Sequence, residues 1–198
     1  MHTGRIVVLN GTPRSGKSSI AAALQSEVPG RWINLGVDVL RRATPPNLQP
    51  GIGLRPGGER PELEQALPGL FAALYESIAA HSRLGLDVVA DVGHHDDYSR
   101  PLGMLPDCAR RLAGLPAWFI GVRCPIDVVM HRRRAEPQGY ESGPGIPAPV
   151  ARWQEAVHHP GIYDLEIDTS EMTPQAAAAA IAARIQQPGT AFIRLSGQ

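Results

Sequence analysis

Gly11-Thr12-Pro13-Arg14-Ser15-Gly16-Lys17-Ser18 sets two glycines five residues apart ahead of a lysine and a serine, and each residue type has a use against a polyphosphate. Glycine at 11 and 16 lets the backbone wrap an anion with no Cβ in the way, so that successive N–H groups point inward. A helix opening at Gly16 adds its positive end. Lys17 then reaches the β- and γ-phosphates, and the Ser18 hydroxyl is offered to Mg²⁺. The expected nucleotide-binding set is Gly11, Thr12, Pro13, Arg14, Ser15, Gly16, Lys17, Ser18 and Ser19, with ATP or GTP as donor and Mg²⁺ as the accompanying ion. Of the 19 basic residues only Lys17 is a lysine; a chain that otherwise uses arginine keeps a compact point charge at the one place where it suits phosphate.

A phosphate loop says that a nucleotide binds, and the acceptor chemistry must come from elsewhere. Asp38 follows an apolar stretch and is expected at the same sheet rim as the loop, where a carboxylate can take the proton of an attacking hydroxyl; equally, an Asp there caps a helix starting at Val39. Asp91 ends Val88-Val89-Ala90, a strand delivering an acid towards Mg²⁺ or its water shell, with a strand-end turn cap as the alternative. His94 and His95 lie in a polar loop; adjacent side chains need not converge on a metal, so solvent exposure is expected first and lining of the acceptor pocket, at His94, second. Arg132, Arg133 and Arg134 end a helix ahead of a loop, which suits a lid over the polyphosphate spanning about residues 132–149, although three successive residues cannot face one site. Asp38 and Lys17 are the candidate catalytic residues, one or more of the three arginines joins the nucleotide site, and Asp91 and His94 join Asp38 on the acceptor side.

These residues need elements to hold them. Arg5-Ile6-Val7-Val8-Leu9-Asn10 reads as a buried parallel strand and residues 18–24 as the helix after it, the order the loop requires. Further strands are expected at residues 32–35, 86–91, 118–122 and 164–168, the last alternating like an edge strand. Helices are expected over residues 62–84, with Pro68 kinking it or splitting off a first turn, more weakly over residues 99–113, where Pro101 and Pro106 interrupt it, into Arg134, around Trp153, and over residues 173–187. Residues 44–61 are rich in proline and glycine and read as an irregular substrate-side loop, functional or mobile. The last ten residues read as a loose tail. Five strands alternating with helices imply a three-layer α/β domain on a five-stranded parallel sheet.

Composition narrows the partners. The 198 residues fit one domain, and a formal net charge of zero favours neither nucleic acid nor an anionic membrane. With no membrane-length apolar run and no leader-like start, a soluble cytoplasmic protein is expected. Cys108 and Cys124 match no zinc or redox spacing and are expected as reduced core thiols. The oligomeric state, monomer or homo-oligomer, stays undecided.

Asn10-Gly11 leading to Gly16-Lys17-Ser18, then Gly36-Val37-Asp38, Val122-Arg123-Cys124, and Val157-His158 followed by Tyr163-Asp164 and Asp168-Thr169 together resemble the chloramphenicol phosphotransferase-like family over most of the chain. The resemblance implies an adenylate-kinase-like P-loop fold, transfer of a nucleotide γ-phosphate to a hydroxyl of an antibiotic, and Asp38 as catalytic base; Arg132 matches a family arginine, which ranks it first of the three and adds it to the catalytic set, with Arg134 beside it in the nucleotide site. The loop interior Thr-Pro-Arg-Ser, residues 44–61, and Glu136-Pro137-Gln138-Gly139 in place of an Arg-Gly-Asp-Arg run depart from the family pattern. The expected partner is a small molecule with a free hydroxyl, chloramphenicol-like or a nucleoside antibiotic. A kinase of a primary metabolite such as a nucleoside or sugar, and a nucleotide-dependent regulatory module without transfer, are the competing readings.

Overall fold

Two apolar faces on one parallel sheet account for most of the fold. The computed structural model describes residues 2–135 and 145–197. In chain order these form β1 (Ile6–Asn10), α1 (Lys17–Glu27), β2 (Trp32–Asn34), α2 (Val37–Ala43), α3 (Pro61–Glu64), α4 (Leu67–Arg83), β3 (Asp87–Val92), α5 (Met104–Arg111), β4 (Ala117–Arg123), α6 (Ile126–Ala135), α7 (Ala148–Ala156), β5 (Leu165–Asp168), α8 (Pro174–Arg184) and α9 (Ala191–Ser196). The strands pair in the order β2-β3-β1-β4-β5, all parallel. The central strand β1 has neighbours that come later in the chain on both sides, so the order diverges at its C-terminal end. Open α/β sheets bind their ligands there.

Alternation along the strands feeds two cores. Ile6, Val8, Val88, Ala90 and Phe119 pack under α4, α5 and α9, while Val7, Leu9, Val89, Ile120 and Ile167 pack under α1 and α8. The result is the three-layer α/β arrangement expected from the sequence. As expected, β5 is an edge strand, with Glu166 exposed and Ile167 buried.

Two expectations are corrected. The helix read over residues 99–113 shrinks to α5, because Pro101 precedes it and Pro106 is tolerated only within its first turn. The last residues are no loose tail: α9 buries Ala191, Phe192 and Leu195 against the α4–α5 core. Asp164 anchors this segment, its fully buried carboxylate accepting N–H bonds from Thr190 (2.7 Å) and Ala191 (3.2 Å) and pairing with Arg184 at 3.0 Å. Residues 44–61 contain two 3₁₀ turns and sink Ile52 and Leu54 into the core. Elsewhere the expectation at Pro68 is met, since α3 and α4 are separate and Pro68 lies in the first turn of α4. Both cysteines are buried and free. Among the described residues no helix is long and apolar enough to cross a membrane.

Candidate nucleotide and phosphoryl-transfer site

β1 delivers the loop from the middle of the sheet, and α1 leaves from its far side. Gly16 is the N-cap of α1 at φ 97, a left-handed conformation that costs glycine nothing and turns the chain into the helix. Arg14 reaches φ 71 without that freedom, a strain of roughly 1 kcal/mol held by the surrounding loop. Lys17 Nζ donates to the carbonyls of Gly11 (2.8 Å) and Thr12 (2.7 Å), which folds the ammonium back over the loop. Burial pushes its pKa down to about 8, against the pull of the Asp91 and Asp38 carboxylates. The hydroxyls of Thr12 and Ser15 are buried without a partner among the described residues. Unpaired buried donors in a loop of inward N–H groups fit an anion.

Strand register brings the second acid in. Asp91 lies level with Leu9 on the neighbouring strand, and its Oδ2 accepts a hydrogen bond from Ser18 Oγ at 2.8 Å. A hydroxyl and a carboxylate oxygen so placed are hard ligands suited to Mg²⁺. Asp91 is buried, and a Cβ on Gly36 would lie 1.6 Å from its Oδ1. Only glycine at 36 lets the start of α2 pass this carboxylate. Asp91 and the start of α2 are thus packed against each other.

That packing places Asp38 in the first turn of α2. The N-cap is Gly36 and Asp38 makes no capping bond, which corrects the helix-cap alternative: the helix starts two residues earlier than expected. Its carboxylate is half exposed and pairs with Arg41 at 3.0 Å, and its charge is felt by Lys17.

On the other flank, Arg132 Nη2 donates to the Thr169 carbonyl (2.7 Å), and Nη1 donates to Thr169 Oγ1 (3.0 Å) and the Arg14 carbonyl (3.3 Å). Thr169 Oγ1 in turn donates to the Ser15 carbonyl at 2.7 Å. Thr169 therefore joins the end of β5, the last turns of α6 and the phosphate loop. The sequence offers its signal in a hydroxyl immediately after a strand at the binding rim. Arg132, Arg14, Gly16, Lys17, Ser18, Ser19 and Thr169 border a cavity of about 500 Å³ that reaches Met172 and Pro174. Arg134 is exposed and does not border it; two residues on, it points about 200° away round the helix. Of the lid-like segment, residues 136–144 fall outside the described residues.

The histidines correct the expectation of exposure. His94 and His95 are 2 % and 5 % exposed. His94 is enclosed by Phe71, Tyr75 and Phe119, and burial lowers its pKa to about 3, so the ring is neutral and sits in the core rather than at an open acceptor pocket. His95 Nε2 donates to the Leu54 carbonyl (3.1 Å), and the ring packs on Tyr98 and edge-on to Trp153. Short-range polarity predicts exposure here; the aromatic cage is assembled from α4, β4 and α7, far away in sequence.

Comparison with known proteins agrees with this geometry. Residues 4–186 match the family described as chloramphenicol phosphotransferase-like protein. A Mycobacterium tuberculosis protein named "Putative O-phosphotransferase Rv2636" is 29 % identical over 184 residues, covering 86 % of this chain and 77 % of its own. Among solved structures, the M. tuberculosis APS kinase CysC in complex with AMPPNP and APS superposes with a TM-score of 0.63 at 15 % identity, covering 94 % of this chain and 100 % of that one. The Deinococcus radiodurans tunicamycin resistance protein gives 0.59 at 20 % identity, with 94 % and 98 % covered. These likenesses establish the P-loop kinase fold.

Proposed function

The chain belongs to the chloramphenicol phosphotransferase-like family, and on that premise we propose that it moves the γ-phosphate of ATP or GTP to a hydroxyl of a small molecule, an antibiotic of chloramphenicol-like or nucleoside type, and so inactivates it. The observation that carries this reading is the shared packing at the sheet's C-terminal rim. Ser18 and Asp91 are 2.8 Å apart beside Lys17, and Gly36 brings the helix of Asp38 against Asp91.

In the proposed reaction the acceptor oxygen attacks the γ-phosphorus while Asp38 takes its proton. A new P–O bond forms, the bond to the β,γ-bridging oxygen breaks, and the nucleoside diphosphate leaves with that electron pair. Lys17 and Arg132 balance charge on the transferred group. Ser18 and Asp91 would hold a Mg²⁺, which would supply positive charge against the phosphates. The exposed Asp38–Arg41 pair is worth under about 1 kcal/mol, so the carboxylate turns to an alcohol at small cost.

The test incubates the protein with Mg²⁺ and ATP or GTP against hydroxyl-bearing antibiotics, nucleosides and sugars, and reads the gain of one phosphoryl group by mass. An antibiotic product with loss of its activity is the expected result. A product only with sugars or nucleosides transfers the reading to a primary metabolite, and nucleotide binding with no product from any acceptor contradicts it.

A further inference from the structure

Asn10 ends an otherwise apolar central strand and is 1 % exposed. A buried carboxamide is costly unless its hydrogen bonds are made, and here they are made to segments remote in sequence. Oδ1 accepts the backbone N–H of His94 at 2.7 Å; Nδ2 donates to the Val157 carbonyl at 2.8 Å and the Tyr163 hydroxyl at 3.0 Å. Tyr163 continues to His158 Nδ1 at 2.8 Å. Burial holds the His158 ring neutral, lowering its pKa to about 4, and raises that of Tyr163 to about 12, so the hydroxyl accepts from Asn10 and donates to the imidazole.

These partners lie on the acceptor side. His94 follows β3 three residues after Asp91. Val157 ends α7, which rests on the acceptor-side loops through Arg152, bonded to Glu59 at 2.9 Å, and through Trp153, edge-on to His95. Asn10 is covalently joined to Gly11, the first residue of the phosphate loop. A leucine or valine there would complete the apolar strand; the asparagine instead ties three segments to one point.

We propose that Asn10 is a positioning residue for phosphoryl transfer, fixing the loop at His94 and the α7 end at Val157 and Tyr163 in register with the phosphate loop, so that acceptor and donor meet in line. The inference rests on the phosphotransferase reading above.

Asn10→Asp keeps the oxygen for His94 but removes both N–H donors and sets an oxygen against the Val157 carbonyl; Tyr163→Phe removes one of the two bonds with less risk to folding. The transfer kcat should fall about 10- to 100-fold in Asn10→Asp and a few-fold in Tyr163→Phe, while nucleotide Kd stays within about threefold, because misplacement by an ångström is costly for an in-line reaction and not for donor binding. An unchanged kcat, or nucleotide affinity lost in parallel with it, overturns the proposal. Amide hydrogen exchange supplies a readout that needs no acceptor. A non-hydrolysable nucleotide analogue should slow exchange over residues 93–98 and 157–163 in the wild-type protein and in neither segment in Asn10→Asp, with Tyr163→Phe intermediate. Equal protection in wild type and variants overturns the coupling even if no acceptor is ever phosphorylated, an outcome that by itself counts against the phosphotransferase reading alone.

Discussion

The proposed donor and acceptor sides of this rim share one sheet edge and are built by opposite means. The proposed donor side draws on contiguous residues 11–18, whose backbone is shaped for phosphate; among the described residues, Asp91, Arg132 and Thr169 bond to it from elsewhere in the chain. The proposed acceptor side has no contiguous motif. It is gathered from α2, residues 44–61, the loop after β3 and α7, and held by distant contacts such as Arg152–Glu59 and the His95–Trp153 ring pair. A site made of backbone amides serves any nucleoside triphosphate. One made of packed side chains from four segments can change its guest while the fold stays the same, which is how one scaffold carries different acceptors.

The sharpest way to break this comparison is on the donor side. Lys17→Met removes the one ammonium over the loop, and transfer should fall by about 10³-fold or more, with nucleotide affinity clearly weakened, read by steady-state kinetics and titration calorimetry. Retention of both would remove the loop from the mechanism.

Gly36→Ala tests the join between the two sides. With a Cβ due 1.6 Å from Asp91 Oδ1, either α2 or the carboxylate must move. A loss of about 1–3 kcal/mol in unfolding free energy is expected from the overpacking, together with lower transfer. A variant with wild-type stability and activity would show that the two sides are not packed as one unit.

The smallest effect expected is on pH dependence. In the free protein Lys17 is charged below about pH 8 and loses its proton above it, whereas bound phosphates favour the charged form. Binding above pH 8 must therefore take up a proton, and nucleotide affinity should weaken by up to about tenfold per pH unit there while staying flat just below. Calorimetry in two buffers of different ionisation enthalpy measures that uptake directly; equal apparent enthalpies at pH 9 would contradict it.

The same contrast explains what could be read from the sequence. The loop was legible because its chemistry needs particular residues at fixed spacing, and the strands because parallel central strands are buried on both faces and so appear as unbroken runs such as Ile6-Val7-Val8-Leu9. Asp91 followed from its strand, since a strand's end fixes its place. What stayed hidden depends on partners far away in sequence. His94 and His95 look polar and exposed until α4, β4 and α7 close around them. Residues 189–197 look loose until Asp164 caps the turn that sends α9 into the core. The role of Asn10 is invisible without Val157 and Tyr163. The helix cap at Gly36 lies two residues before the start that the sequence suggests, because Val37 carries no local start signal of its own.

The central claim is that an alcohol held at this rim gives its proton to Asp38 as the γ-phosphate is transferred. Its most direct test is Asp38→Asn, which keeps size and hydrogen bonding but cannot accept the proton. The account predicts nucleotide Kd within about threefold of wild type and a transfer rate lower by about 10²- to 10⁴-fold. A transfer rate equal to that of the wild-type protein would contradict it.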